Sequence, residues 1–449
     1  MSKTLGSKEI FEDMPVRQAV RVMAVPAVIS QLIVLMYNLA DTFFIGKTDN
    51  PYMVAGVSLL LPVFNVCLAM GSLFGVGGGA LLPKLLAAGR RDEAEKANMF
   101  CIRVTLLIAA AFSIVTALLM KPILHLLGAG DNTYLYARQY TLLVIVLGAV
   151  PTVMTNALAN LLRSVSLSKQ AGFGVALGGV LNIILDPLFM FVLLPRGNEV
   201  LGVGIATLLS NVTSCAYCLW VFIKGQNELK VSLRIRGVER GSVAAIFFVG
   251  IPGTVSSLLF DLDYMVLDKL MSAYGDIPLA AIGIVLKAER IPQQVGIGLC
   301  QGVIPLVAYS YAQKNYKRMK DTIFYTVIVG FLISVAAIAM YELFSPAIMR
   351  VIINEAETVA IGAQFLRVRA VAALFMFLSF FVVFMYQALG KGRTALILGC
   401  IRWAGLNIPL LFLFNYMFGM FGLVWAQLVA DVLTTIMSHA VLVRFLRRL

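Results

Sequence analysis

Hydrophobic positions in this chain run in long, nearly unbroken blocks rather than in the one-sided stripes of soluble helices. Twelve blocks can be drawn, at 16–45, 53–83, 97–120, 134–163, 170–194, 202–223, 241–272, 279–312, 321–344, 358–389, 395–416 and 420–443. As helices rising about 1.5 Å per residue, blocks of this length cross a hydrocarbon layer about 30 Å thick. The most polar interior stretch lies between Lys224 and Arg240 and divides the blocks into six plus six. The pattern predicts an all-α polytopic membrane protein of twelve transmembrane helices in two six-helix lobes. Its parts are a tail at 1–15, a first lobe at 16–224, a linker at 225–240 and a second lobe at 241–449.

The two halves also repeat one another. Ala55-Gly56-Val57 matches Ile282-Gly283-Ile284, Gly71 matches Gly298, and Gly75-Val76 matches Gly302-Val303, all 227 residues apart. Arg90-Arg91 and Lys317-Arg318 keep that offset, and Leu181-Asn182-Ile183 meets Leu406-Asn407-Ile408 at 225. Six blocks per half place both halves in the same orientation. Such a parallel repeat suits two pseudo-symmetric bundles rocking about a central cavity.

Composition then removes other classes. The chain is 60% hydrophobic and only 13% charged, with mean hydropathy +0.91, against about 25% charged for soluble domains. Its net charge of +13 does not mark a nucleic-acid binder, because of where the bases lie. Of 36 Lys and Arg, 24 fall at one set of alternate block ends and 5 at the other. That asymmetry predicts both termini and the linker on the cytoplasmic side. The first dozen residues are polar and charged, and no cleavable leader is expected. The six Cys all lie in apolar stretches, and Cys215-x-x-Cys218 reads as helix packing. No nucleophile–base pair and no metal-ligand spacing is evident, so an enzyme, a structural metal and a cofactor are not expected.

The chemistry-bearing residues are those that interrupt the blocks. Asn182 and Asp186 sit four apart on one helical face, and Pro187 is expected to kink the helix beside them. An acid at such a depth costs about 2.5–3.5 kcal/mol on insertion scales, so it is paired or lines a wet cavity. Counting from the charged ends at 1.5 Å per residue, Asp41 lies roughly 9 Å, Asp186 roughly 15 Å and Thr207 roughly 8 Å from the outer end. Tyr37 is one turn deeper than Asp41, and Tyr140 lies in the outer half of the fourth block. Two carboxylates flanked by amide, hydroxyl and phenol oxygens can share a proton or hold a small hard cation such as Na⁺.

These residues resemble a known family. Pro26, then Asp41-Thr42-Phe43-Phe44-Ile45-Gly46, then Leu181-Asn182-Ile183-Ile184-Leu185-Asp186-Pro187, then Gly202-x-Gly204-x-Ala206-Thr207, are similar to the multidrug and toxic compound extrusion (MATE) family. Gly298-Leu299-Cys300-Gln301-Gly302-Val303-Ile304-Pro305-Leu306 extends the match. The two first-lobe acids resemble the branch of DNA-damage-inducible F-type and staphylococcal-type exporters. The resemblance implies a twelve-helix, two-lobe antiporter that exports amphipathic, often cationic, small molecules by alternating access. Inward H⁺, or Na⁺, would drive it. Its cation site would fall on Asp41, Asn182, Asp186 and Thr207, with Tyr37 and Tyr140 beside it and Asn156 as a further carry-over.

In the second half Asn407 keeps the place of Asn182, but Leu411 stands where Asp186 does. Asp261, Asp263, Asp268, Lys287, Glu289, Arg290, Arg367 and Arg369 form a charge cluster instead, either self-neutralising or with Asp263 or Glu289 holding cationic substrate or contributing a second proton site. Met36, Phe64, Met154 and Phe260 are candidates for an adaptable apolar pocket. A lipid-linked-saccharide flippase is the alternative within the same superfamily. It would need basic residues on the first two blocks, where only Lys47 stands between Arg21 and Lys84. The expected partners are these small molecules and the bilayer, with the protein acting as a monomer.

Overall fold

The computed structural model describes residues 8–48, 50–224 and 237–449. Residues 1–7 of the expected tail and 225–236 of the expected linker lie outside the described residues. The apolar blocks are helices, numbered here α1 to α12. In the first lobe α1 is Val16–Gly46, α2 Pro51–Ala87, α3 Arg91–Leu118, α5 Ser168–Leu193 and α6 Glu199–Ile223. Helix α4 is bent by 48° between Asp131–Leu147 and Ala149–Ser164. In the second lobe α7 is Arg240–Met271, α8 Asp276–Ala312, α9 Tyr316–Ile352 and α10 Ala356–Ala388. The run Gly392–Leu446 holds two spans, α11 at 392–418 and α12 at 420–446. They part at Gly419, whose φ of 61° and ψ of −145° leave the helical region; a side chain there would strain the backbone.

Three spans widen locally into π turns, at Thr141–Leu147 in α4, Leu188–Leu193 in α5 and Ile401–Asn407 in α11. The expected kink at Pro187 is therefore not a break. The prolyl residue cannot donate to the turn behind it, and the helix absorbs the loss by widening.

The lobes meet along two pseudo-equivalent seams, α1 on α8 and α7 on α2. The first is closest near the Lys/Arg-rich end. A Cβ on Gly298 would lie 2.6 Å from Val28 Cα, and one on Gly302 would lie 2.5 Å from Ala24 Cα. Only glycine permits that approach. The second seam is tied where Thr254 Oγ1 donates to Ala69 O (3.2 Å). At the same basic end, part of the expected polar tail is packed rather than free. Ile10 and Phe11 are buried, Tyr309 Oη donates to Glu12 Oε1 (2.6 Å), and Arg318 donates to Ile10 O (3.1 Å). This tail segment thus lies against α8 and α9 of the second lobe. Outward-facing Leu, Phe, Ile and Val side chains are widely exposed around both lobes; in a bilayer these face lipid. The chain is a multi-pass membrane protein.

Candidate functional site

Four helices of the first lobe bring the expected oxygens together at the end away from the basic side. Asp41 and Tyr37 come from α1, Asn182 and Asp186 from α5, Thr207 from α6, and Tyr140 from α4 just before its π turn. The Asp41 and Asp186 side chains lie close enough to interact, with Tyr140 beside both. Asn182 Nδ2 donates to Asp186 Oδ1 (3.2 Å) and to Thr207 Oγ1 (3.4 Å). Asp186 is 0% and Asn182 2% exposed, whereas Asp41 lines a cavity of about 70 Å³ with Tyr37, Tyr140, Thr207 and Phe64.

That geometry leaves three buried oxygens without a partner: Asp41 Oδ1, Asp186 Oδ2 and Asn182 Oδ1. Buried acceptors left unmade cost about 1–3 kcal/mol each, more when charged. Two neighbouring carboxylates, one of them fully buried, need a positive charge between them. Among the described residues no basic side chain supplies it, so a proton, a small cation or the cationic part of a substrate fits. The donor set is all hard oxygen, as Na⁺ or H⁺ requires and a soft transition metal does not. The cavity has room for a small cation and a few waters, well short of the 300–1,000 Å³ of a drug pocket.

The other candidates separate. Asn156 lies outside the cavity, where its Nδ2 donates to Leu68 O (2.7 Å) and Ser72 Oγ (3.0 Å). Met154 is 3% exposed within the first-lobe core. Core packing thus holds it away from any pocket. Met36 is 56% exposed and off the cavity face. Phe260 packs on Tyr264 and Trp403.

In the second lobe only part of the expected charge cluster is buried. Arg369 Nε donates to Glu289 Oε2 (2.6 Å), both groups being at most 2% exposed. Asn407 Nδ2 donates to Asp263 Oδ2 (2.7 Å) and Gln427 Oε1 (3.2 Å). Lys287, Arg290, Arg367 and Asp268 are exposed, and Asp261 half-buried. Sequence reasoning missed three members. Arg402 donates to Asp431 (2.9 Å), Gln427 donates to the same acid (3.0 Å), and the Arg402 guanidinium lies over Phe380 and Trp403. A signal existed: Gly422, Ala426 and Gln427 repeat Gly202, Ala206 and Thr207 at an offset of 220.

The MatE family model matches the chain twice, over residues 26–188 and 252–413, an interval close to that of the internal repeat. Among characterised proteins, the multidrug export protein MepA of Staphylococcus aureus (strain MSSA476) is 29% identical over 439 residues, covering 98% of this chain and 95% of that one. MepA of Staphylococcus saprophyticus is 29% identical over 440 residues with the same coverage. A solved outward-facing multidrug resistance MATE family transporter of the MOP superfamily superposes at a TM-score of 0.91 with 22% identity, over 100% of both chains. A MATE crystal structure in the bent conformation gives 0.88 at 22% identity, over 100% of this chain and 99% of that one. At that identity the structural likeness speaks for the twelve-helix, two-lobe fold.

Proposed function

Since the chain belongs to the MatE (multidrug and toxic compound extrusion) family, we propose that it is a multidrug efflux antiporter. It exports amphipathic, often cationic, small molecules across the cytoplasmic membrane in exchange for inward H⁺, with Na⁺ as the second candidate ion. The observation that carries the ion-exchange reading is the Asp41–Asp186 contact with its three unpartnered oxygens and no base. Multidrug export by its MepA relatives supplies the cargo class.

The cycle follows from competition. Asp41 faces the cavity and Asp186 lies behind it, so a cationic substrate and the inorganic cation draw on one negative pair. Each is held by one acid while the other acid, Asn182 and Thr207 complete the shell. Loading one therefore weakens the hold on the other. Exchange of occupants shifts the balance between two lobe arrangements only to the extent that each occupant prefers one of them. The basic ends of the helices face the cytoplasm, which puts the acid pocket in the outer half, where inward ions enter and drugs leave.

Purified protein in liposomes, with a pH gradient and a Na⁺ gradient imposed separately, tests this. Ethidium transport is expected under the pH gradient and lost in Asp186→Asn. Transport indifferent to both gradients, or an Asp186→Asn protein with undiminished coupling, overturns the reading.

A further inference from the structure

A second polar centre lies on the basic side, and the exchange site does not use it. Arg163, near the end of α4, is 4% exposed. Its Nη1 donates to Asn160 Oδ1 (3.2 Å) and, across the lobe boundary, to Gln301 Oε1 of α8 (3.4 Å). Its Nη2 donates to Ser30 Oγ of α1 (3.0 Å). Gln31 of α1 donates to the same Gln301 oxygen (2.9 Å). Among the described residues no acid side chain acts on this guanidinium, and its Nε has no partner.

We propose that Arg163 is a positioning residue of the transport cycle, latching α4 and α1 of the first lobe to α8 of the second and holding the basic side shut. The proposal rests on the antiport reading above. The latch spans the α1–α8 seam where the backbones are closest, beside Gly298 and Gly302. A buried ion pair there would resist opening, since separating its partners strands a charge. A guanidinium held by neutral oxygens behaves differently. When the seam opens, water replaces Ser30 and Gln301 almost one for one, so the open and closed arrangements stay close in energy. A two-state transporter needs that balance.

The pseudo-symmetric position argues for a specific role. The turn after Arg163 has Ser166 at φ 63°, and the matching turn has Gly390 at φ 72°. That correspondence places Gln387 where Arg163 stands. Gln387 is 2% exposed and carries no charge, and its Oε1 is unpartnered. Packing in a six-helix lobe therefore does not require an arginine at this point; only the α1–α8 seam has one.

The test measures hydrogen–deuterium exchange on the full chain in nanodiscs, together with ethidium binding and efflux. Arg163→Gln is expected to raise exchange at least fivefold in residues 22–31 and 296–306. Its ethidium Kd should stay within twofold of the parent while efflux falls tenfold or more. Arg163→Lys, which keeps a donor but loses the fork, should restore part of the protection. Gln301→Glu gives the guanidinium an anionic partner, and it should lower exchange in the same segments and also slow efflux. Unchanged exchange in Arg163→Gln overturns the latch, as does a rise spread over the whole first lobe with loss of ethidium binding. If Arg163→Gln does not fold, Gln301→Glu with parental exchange and efflux overturns it instead. Exchange is read without any gradient, so failure of the ion-coupling reading leaves this result separately legible.

Discussion

The two lobes build one amide handle and surround it with opposite electrostatics. In the first, Asn182 bonds Asp186 and Thr207; in the second, its counterpart Asn407 bonds Asp263 and Gln427. Tyr37 beside Asp41 likewise has a counterpart in Tyr264, 227 residues on. Yet the first site holds two acids and no base, while the second holds Asp263, Glu289 and Asp431 with Arg369 and Arg402. A site lacking its own cation must borrow one from solution, and a site that carries its cations need not. The repeat thus supplies the scaffold twice, and the placement of two arginines divides a site left acidic from one that neutralises itself.

The sharpest break of that contrast is in stability. Arg369→Leu leaves Glu289 buried and unpaired, which should cost about 3–5 kcal/mol, whereas the double change Arg369→Leu with Glu289→Leu should return close to the parent. Asp186→Asn removes half of a like-charged contact and should leave stability equal or higher. Unfolding in detergent, followed by temperature or denaturant, measures all three. An Arg369→Leu protein no less stable than Asp186→Asn would erase the distinction between the lobes.

Transport should show the reverse order. Asp41→Asn or Asp186→Asn is expected to lower pH-driven ethidium efflux at least a hundredfold, about 2.7 kcal/mol, and Asp263→Asn no more than about fivefold, about 1 kcal/mol. A larger loss from Asp263→Asn would move exchange to the second lobe. Next in size come the amides. Asn182→Leu strips a donor from Asp186 and should cost about tenfold, about 1.4 kcal/mol, while Asn407→Leu should cost about threefold, about 0.7 kcal/mol. Initial rates in the same liposomes measure both.

Much of this contrast is visible in the chain itself. Twelve apolar blocks give twelve spans because a bilayer demands long apolar helices, and Asp41, Asn182 and Asp186 stand out because polar groups there are so few. The second-lobe pair Arg402–Asp431 escapes notice for a geometric reason. Residues 194–198 connect α5 to α6, but Gly419 alone joins α11 to α12; this four-residue difference makes up most of the slip of the repeat from 225 to 220, which hides Gln427 opposite Thr207. Arg163 escapes because a base near a block end looks like a loop charge, and only the folded seam reveals its burial. Met154 shows the converse, since a flexible thioether looks the same in sequence whether it faces a pocket or the core. The π turns also leave no pattern, because hydrophobic spacing does not distinguish a widened turn from an ordinary one.

The smallest effect asks whether the acid pocket and the proposed basic-side latch are joined. Thr207 bonds Asn182; one turn on along α6, Asn211 Nδ2 donates to Thr152 Oγ1 of α4 (2.9 Å). One turn further along α4 is Asn156, whose Oδ1 accepts from Asn160 Nδ2 (3.2 Å), and Asn160 in turn accepts from Arg163. A ladder of neutral amides and hydroxyls thus runs through the first lobe from acid pair to lobe seam. In the second lobe, by the 220-residue offset, Asp431 stands where Asn211 does and is tied to Arg402. Asn211→Leu removes one neutral hydrogen bond, worth about 1 kcal/mol, and should lower coupled efflux only twofold to threefold with ethidium affinity unchanged. Asn211→Asp copies the second-lobe residue without its arginine and should cost more than the leucine, because a buried carboxylate then lacks its base. If neither change alters coupling, the ladder is packing alone. The difference between the lobes would then be confined to the two acids at its outer end.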